Sequence, residues 1–321
     1  MKDDLQKGNA MIDQEEDNLR KVLESNPFLP ELDKWESDLG AFREGRMKLD
    51  ELHFVLKSDM DNFNWYQQNV ACRTEDTDTF LHPEVFPQPF IGDPRAPIWY
   101  LLLNPGYGFP DRYDHLGICS FCERRLSTEQ TIENDCVFDK GRDKLANLKK
   151  RQELLLRQLR LESGMPFYLL DDAFDTLKGS LARGKDGGYR WWRTILFGAN
   201  RSNGFLLPEC GVRQHPASVS QKIFVLECAP YHSRNFDGKV LWAGSKYTEF
   251  WVKLISWAVE TGRKFIVRSE KVVDVLTKND LQVNEINSLR FSSNQNVSLT
   301  MRNLRGQATV FDAVRKALSD N

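Results

Sequence analysis

The first candidate for chemistry is an asparagine at the end of an apolar segment. Residues 98–103 read IWYLLL, a continuous apolar run typical of a strand buried on both faces, and Asn104-Pro105-Gly106 follows directly. A polar side chain at the tip of such a strand could position a water molecule for attack on a bound substrate. Proline and glycine turn the chain sharply, which lets backbone N–H groups approach a ligand. The alternative is structural, because many apolar strands leave a sheet through such a turn.

Polar residues also follow two later apolar segments. Residues 223–226 read IFVL and are followed by Glu227 and the turn residues CAPYHS, and residues 265–267 are followed by Arg268. Near the C-terminus, residues 293–300 read SNQNVSLT. Ligands of parallel sheets bind beyond the carboxyl ends of the strands, so we expect these polar residues to lie together.

These segments resemble the motifs of the uracil-DNA glycosylase superfamily. Its first motif is a buried strand that delivers Asp, Asn or Glu, then Pro, then Gly or Tyr, and the mismatch-specific and thymine-DNA branch has Asn-Pro-Gly, as here. The IFVLE segment resembles the second strand, whose last residue hydrogen-bonds the Watson–Crick edge of the base. The SNQNVSLT segment resembles the last motif, although the proline normally inside that motif is missing. The resemblance covers about residues 85–318.

The resemblance implies a role for each matching residue. Asn104 would position water beneath the sugar, and Asn296, with Asn294 as its alternative, would stabilise charge on the departing base. The residues expected to bind the base are Glu227, Phe121, Tyr113, Gly106 and Tyr107. Among them Phe121 is the preferred stacking platform for the flipped base, followed by Tyr113. The residues expected to contact DNA are Ser298, Leu299, Met301, Arg302, Ser233 and Arg268, with Leu299 or Met301 as the wedge in the emptied duplex position.

Glu227 is the main departure from a uracil reader, which carries an amide at this position. An ionised carboxylate can only accept hydrogen bonds, so it would repel O4 of uracil but suit the amino group of cytosine. The sequence therefore favours a cytosine-type base. Gly106 stands where some members carry a tyrosine that guards the 5-position, so a 5-substituted cytosine such as a glucosylated hydroxymethyl form fits. The alternative is that Glu227 pairs with an arginine and reads nothing.

Four residues form a pattern with metal-ligand spacing. His115, Cys119, Cys122 and Cys136 read H-x3-C-x2-C-x13-C, which could hold a structural zinc ion. A second CxxC pair is missing, and iron–sulfur members of the superfamily place their first cysteines before the first motif. We therefore expect reduced thiols, no metal and no cofactor, with zinc at these four residues as the alternative.

The elements around these motifs predict an α/β fold. Strand-like segments alternate with amphipathic helices at residues 247–258 and 309–318, which indicates a parallel sheet with helices on both faces. The resemblance makes this a three-layer αβα sandwich with a central, mostly parallel four-stranded sheet. The first 80 residues read as helical, with a break at Asn26-Pro27 and an apolar face that continues through Leu49 to Leu56.

A proline-rich segment divides the chain. Residues 82–97 contain five prolines, which indicates an extended connector, so we predict an acidic helical N-terminal region over 1–82 and a uracil-DNA-glycosylase-like domain over 83–321. Residues 1–100 carry 11 basic and 21 acidic side chains, a net of −10, whereas residues 101–321 carry 33 and 25, a net of +8. Such an asymmetry is compatible with a polyanionic partner for the second part or with two differently charged solvated surfaces.

Composition excludes several classes of protein. With 40% apolar and 28% charged residues, the chain is neither generally disordered nor fibrous. No apolar stretch approaches the roughly 20 residues that span a bilayer, and the polar N-terminus is unlike a signal or transit peptide. We expect a cytoplasmic monomer without a membrane partner. A basic helix over residues 142–162 could follow phosphates, although most such helices are simply solvated.

The sequence predicts a monofunctional DNA glycosylase that hydrolyses the N-glycosidic bond of a flipped, modified cytosine and leaves an abasic site. Against such a base in bacteriophage DNA, this activity would serve antiviral defence. The alternatives are a uracil or mismatch repair glycosylase, a non-catalytic nucleic-acid-binding protein on the same fold, and an unrelated α/β hydrolase or nucleotide-processing enzyme.

Overall fold

The structure, a computed structural model, describes residues 2–71, 79–103, 105, 153–165, 219–233, 236, 245–291, 299 and 303–319. Within them the α/β class is confirmed. One sheet has the strand order β1-β3-β2-β4-β5-β6. Its strands are β1 (Phe90–Ile91), β2 (Ile98–Leu102), β3 (Ile223–Glu227), β4 (Lys264–Val267), β5 (Ser288–Phe291) and β6 (Leu304–Arg305).

The sheet is larger than the sequence predicted, with six strands in place of four. The pairs β3–β2, β2–β4 and β4–β5 are parallel, whereas β1 pairs with β3 and β6 pairs with β5 in antiparallel fashion. The two antiparallel edge strands contain two residues each. Segments this short have no measurable alternation of apolar and polar residues, so the sequence gives no signal for them.

The helices of the described residues occur before, within and after the sheet. They are α1 (Lys2–Glu24), α2 (Leu32–Arg43), α3 (Met60–Asn69), helical residues 153–159, α4 (Lys246–Glu260), α5 (Glu270–Lys278) and α6 (Ala308–Ser319). The predicted break at Asn26-Pro27 is confirmed, because α1 ends just before it. The predicted helical continuation to Leu56 is wrong beyond the 3-10 turn Leu49–Glu51. The N–H of Phe54 donates instead to Pro83 O, and that of Leu56 donates to the Tyr231 hydroxyl.

Both faces of the sheet are buried. We call the side of Trp99, Leu101, Phe224 and Leu226 the α4 face, because it packs against the apolar side of α4. Ser245 begins α4 as its N-cap, and its hydroxyl oxygen accepts from Tyr247 N at 3.1 Å. Residues of α2 and α5 belong to the same cluster.

We call the opposite side the α6 face. Its strand residues include Tyr100, Leu102 and Val225, which share a cluster with residues of α6 and with Leu155. The alternation along each strand separates the two clusters, and all five residues of both β2 and β3 are buried. This explains why both strands are apolar without interruption until their carboxyl ends.

The proline-rich segment is part of the core. It contains β1, and Val85, Phe86 and Phe90 are each at most 1% exposed. Gly92 follows with φ +98°, and a Cβ there would lie 2.6 Å from Ile223 O. The Gln158 side chain accepts from Gly92 N and donates to Gly92 O, both at 2.8 Å. Residues 82–97 are therefore packed against the sheet, and their prolines fit an edge strand, where fewer N–H groups are needed.

The N-terminal helical region shares the core of the sheet. Leu19, Phe28 and Trp35 belong to the same cluster as the α4 face, and the Phe28 ring lies 5.7 Å from that of Tyr247. Ion pairs add to this contact, at 2.7 Å between Arg263 and Glu15, at 2.8 Å between Arg95 and Glu16 and at 3.0 Å between Arg160 and Glu36. Part of the acidic charge of the N-terminal region is therefore matched within the chain itself.

Candidate active site

The carboxyl ends of three strands lie side by side at one edge of the sheet. Leu102 at the end of β2 is paired with Glu227 at the end of β3, and just beyond them Ala229 N donates to Leu103 O at 2.8 Å. On the other side of β2, Arg268 N donates to Leu101 O at 3.1 Å. The connections from β2 and β4 leave in opposite directions, because β3 lies beside β2 and β5 lies beside β4. Ligands of open α/β sheets bind at such a crevice.

Glu227 is a buried carboxyl at this edge. It is 4% exposed, and the alternation of β3 places it on the α6 face with Val225, which is paired with Tyr100. Its Oε2 has no hydrogen-bond partner among the described residues. Burial raises the pKa of this carboxyl well above its ordinary value of 4.5, because ionisation would leave a charge with little solvation. The raised pKa favours the uncharged acid, which has one O–H donor and retains acceptor capacity.

The backbone on both sides of this carboxyl is fixed by hydrogen bonds. Glu227 N donates to Pro89 O at 2.8 Å, and the hydroxyl of Tyr247 on α4 donates to Glu227 O at 2.5 Å. Cys228 N continues the pairing by donating to Leu102 O at 2.9 Å. The position of the carboxyl is therefore set by β1, β2 and α4 together, as a site held by rigid elements requires.

A phenol, a guanidinium and an aromatic ring accompany Glu227. The guanidinium carbon of Arg268 lies 4.9 Å from the ring centroid of Phe291, and the Tyr100 ring lies 6.2 Å from the same ring. Burial raises the pKa of Tyr100, the positive charge of Arg268 lowers it, and the negative charge of an ionised Glu227 raises it. Arg268 and an ionised Glu227 would therefore both act on this one buried phenol, which places the two residues at the same part of the α6 face.

A second buried carboxyl supports the segment that follows β3. Asp59 is 0% exposed, and it accepts hydrogen bonds from Tyr231 at 3.0 Å and from Ser245 at 2.7 Å. Burial raises the pKa of Asp59, and the hydrogen bonds from Ser245, Tyr231 and Ser58 oppose that rise. The network ties the N-terminal helical region to the N-cap of α4 and to the segment after Glu227. This arrangement stabilises the edge of the sheet.

Most of the predicted site residues lie outside the described residues. These are Asn104, Gly106, Tyr107, Tyr113, Phe121, Asn294, Asn296, Ser298, Met301 and Arg302. The alternative zinc ligands His115, Cys119, Cys122 and Cys136 also lie outside them. In the part of the chain that the structure describes, no group of three or more His, Cys, Asp or Glu side chains is arranged to hold a metal ion.

Four predicted site residues are described, and two of them lie in unexpected surroundings. Glu227 and Arg268 both lie at the carboxyl edge of the sheet, and Arg268 is half-buried. Ser233 is 0% exposed and Leu299 is 2% exposed, the latter within the cluster of the α6 face. Both were predicted to contact DNA, and both side chains are buried in the structure. The apolar side chain of Leu299 is already matched by the core, which accounts for its burial.

Sequence reasoning did not assign Tyr100, Tyr247 or Asp59 to the site. Tyr100 had a readable signal, since it carries the one hydroxyl in the run IWYLLL and shares the period-2 face of Leu102. A hydroxyl in a strand buried on both faces needs a polar neighbour. Tyr247 and Asp59 lie near the carboxyl edge of the sheet but belong to elements distant in the chain, and no local sequence pattern predicts such contacts.

A comparison of the chain with known protein families, with characterised proteins and with solved structures finds no match. None of the helices in the described ranges combines the length and apolar composition that a bilayer crossing requires.

Proposed function

We propose that this protein is a DNA glycosylase that hydrolyses the N-glycosidic bond of a flipped, 5-substituted cytosine. The observation that carries the proposal is the buried carboxyl of Glu227, whose Oε2 has no hydrogen-bond partner among the described residues and which ends the strand beside β2. A buried polar atom without a partner costs free energy unless a ligand satisfies it. Asn104 follows the end of β2 in the chain, as the proposed water-positioning residue must.

The hydrogen-bonding capacity of Glu227 matches the edge of cytosine. An uncharged carboxylic acid can donate its O–H to N3 and accept from the N4 amino group, so both oxygens find partners. The same acid could also donate to O4 of uracil and accept from its N3–H. The choice between the two bases therefore depends on the space around the 5-position and on how readily each base leaves as the N-glycosidic bond breaks.

The remaining residues take the roles that the motifs imply. Asn104 orients water at C1′, and Asn296 stabilises charge on the departing base. Phe121 or Tyr113 stacks on that base, and Met301 fills its place in the duplex. Arg268, half-buried at the carboxyl edge, adds positive charge where the phosphates of DNA would pass. Asparagine is too weak a base to deprotonate water strongly, so the reaction relies on a dissociative, oxocarbenium-like transition state.

We also propose a finer architecture and a cellular setting for this protein. The four parallel strands β3-β2-β4-β5 form the central sheet of a three-layer αβα sandwich, with β1 and β6 as additions at its edges. The protein acts as a cytoplasmic monomer on duplex or transiently single-stranded DNA. In a host with ordinary DNA, a modified cytosine marks invading bacteriophage DNA, and its removal serves antiviral defence.

A panel of end-labelled duplexes tests the proposal. Each duplex carries one uracil, cytosine, 5-hydroxymethylcytosine or glucosylated 5-hydroxymethylcytosine, and abasic sites are detected by strand cleavage in alkali. We expect abasic sites with the 5-substituted cytosines and far fewer with cytosine. Preference for uracil would assign the protein to base repair, and DNA binding without base release from any duplex would make it a non-catalytic nucleic-acid-binding protein.

A further inference from the structure

We propose that Glu227 is the general acid of the reaction and delivers its proton to the ring nitrogen N3 of the departing base. This inference rests on the proposed function, and it adds a chemical step to a residue otherwise assigned only to base recognition. It would explain why a carboxyl occupies a position at which an amide suffices for recognition alone.

The leaving group makes the proton necessary. When the bond between N1 and C1′ breaks, its electron pair stays on the base. A uracil anion spreads this charge over two carbonyl oxygens, whereas a cytosine anion has one carbonyl and an electron-donating amino group. Cytosine is therefore the poorer leaving group, and protonation at N3 lets it depart as a neutral tautomer. General acids contribute about 10²- to 10⁴-fold to such steps.

The geometry of Glu227 suits proton delivery. Glu227 N donates to Pro89 O at 2.8 Å, and the Tyr247 hydroxyl donates to Glu227 O at 2.5 Å. The backbone from which the carboxyl extends is therefore held in place. Its Oε2 is buried and has no partner in the described part of the chain, which leaves that oxygen for a ligand. The residue lies at the carboxyl end of β3, beside the chain segment that leads into Asn104.

The surroundings favour the protonated acid before the reaction. A charge on Glu227 would raise the pKa of three titratable neighbours. These are Tyr100 on β2, Cys228 on the same segment and Tyr247 on α4. Burial raises the pKa of all three, so none is charged near neutral pH. Asp59 acts on Tyr247 from the N-terminal region, and Arg268, beyond β4, acts on Tyr100. Burial is the cause that raises the pKa of Glu227 itself.

Atoms and charges balance over the cycle. The N1–C1′ bond breaks, the O–H proton of Glu227 moves to N3, and Glu227 becomes a carboxylate hydrogen-bonded to the base. Water held by Asn104 adds its oxygen to C1′ and releases one proton to solvent. After the neutral base leaves, the buried carboxylate takes a proton from solvent and the acid is restored. The net reaction is hydrolysis, with no other reactant.

Single-turnover base release by Glu227→Gln tests the inference. Glutamine keeps one donor and one acceptor but cannot give up a proton, and Glu285→Gln on the exposed surface is the matched control. We expect Glu227→Gln to slow release of the 5-substituted cytosine by about 10²-fold or more. The loss on uracil should be at least tenfold smaller, since that base needs no proton. Binding to a duplex with a non-hydrolysable nucleotide should change less than the rate does.

The pH dependence of the base-release rate distinguishes proton donation by Glu227 from a purely structural role. The wild-type rate on modified cytosine should fall as pH rises through the pKa of Glu227, and Glu227→Gln should lose this decline. With 5-fluorocytosine, whose substituent stabilises the anion, the wild-type decline should be shallower, and this measurement stands even if the variant does not fold. Equal rates and equal pH profiles for wild type and Glu227→Gln would overturn the inference while leaving the glycosylase proposal intact. Absence of base release by the wild-type protein would instead overturn the proposed function.

Discussion

The hydroxyl of Tyr231 donates a 3.0 Å hydrogen bond to Oδ2 of Asp59 and accepts one from Leu56 N at the same distance. Tyr231 follows the end of β3 by four residues, and Asp59 belongs to the N-terminal helical region. The other oxygen of Asp59 accepts from Ser245, the N-cap of α4. One buried carboxyl therefore connects the segment after β3 to the start of α4, where the Tyr247 hydroxyl donates to Glu227 O.

Asp59→Ala should destabilise the protein strongly. The substitution leaves the Tyr231 and Ser245 hydroxyls buried without their acceptor, which costs about 2–4 kcal/mol of unfolding free energy. Urea denaturation followed by circular dichroism measures the change. Asp61→Ala, at an exposed position of α3, is the control and should have little effect. Equal midpoints for the two variants would show that the network does not stabilise the fold.

Glu227→Gln should be more stable than wild type at neutral pH, and its advantage should grow with pH. The folded state keeps the Glu227 proton because burial raises its pKa, whereas the unfolded chain loses it near 4.5. Between these two pKa values the folded state binds the extra proton, so wild-type stability falls by up to about 1.4 kcal/mol per pH unit from this group. Below 4.5 the contribution of Glu227 is fully present.

Thermal unfolding between pH 4 and 9 measures this difference. Glu285→Gln should follow the wild-type curve, because that side chain is exposed. Asp59 contributes a slope of the same sign in every variant, since burial raises its pKa as well. A constant difference between wild type and Glu227→Gln across the range would show that Glu227 does not hold a proton in the folded state.

Gly92→Ala should destabilise the protein by several kcal/mol. The φ of +98° disfavours any side chain, and the added Cβ would lie 2.6 Å from the backbone oxygen of Ile223. Gly40→Ala is the matched control, because a Cβ at this α2 position meets nothing within 4 Å. In a helix interior that change should stabilise by about 0.5–1 kcal/mol. Thermal melting should thus move in opposite directions for the two variants.

Asn104→Ala should abolish base release and leave DNA binding nearly intact. The substitution removes the amide proposed to orient the attacking water, while the contacts to phosphates stay. Single-turnover release from a glucosylated hydroxymethylcytosine duplex gives the rate, and an electrophoretic shift assay gives the binding. Asn64→Ala, on the exposed side of α3, should behave as wild type. Unaltered release by Asn104→Ala would remove this mechanism.

The inner strands were predictable because each is an apolar run that ends at polar residues. Predicted segments 98–103, 223–226 and 265–267 correspond within one residue at each end to β2, β3 and β4. The parallel alternation of strands and helices brings Glu227 and Arg268 to one edge, as the sequence predicted. The edge strands and the Asp59 network were not predictable, since both depend on contacts between segments far apart in the chain.

The proline-rich segment contributes buried aromatic residues to the core, which its composition does not indicate. Prolines over residues 82–97 exclude a regular helix, and the sequence therefore reads as a connector. Phe86 and Phe90 in the same segment are buried against aromatic residues of the N-terminal region and of β3. The burial of these two aromatic residues depends on contacts with other parts of the chain, and proline content does not predict it.

The aromatic contacts of Phe28 and Trp35 determine what a truncated chain would expose to water. These rings meet Tyr247, Phe90 and Phe86, so the first helices and the sheet complete one apolar interior. A fragment that started at residue 83 would expose that interior to water and would be prone to aggregate. The acidic N-terminal region thus covers one side of the shared core. Its removal would disturb the position of Glu227, because Phe28 contacts Tyr247, which holds the Glu227 backbone.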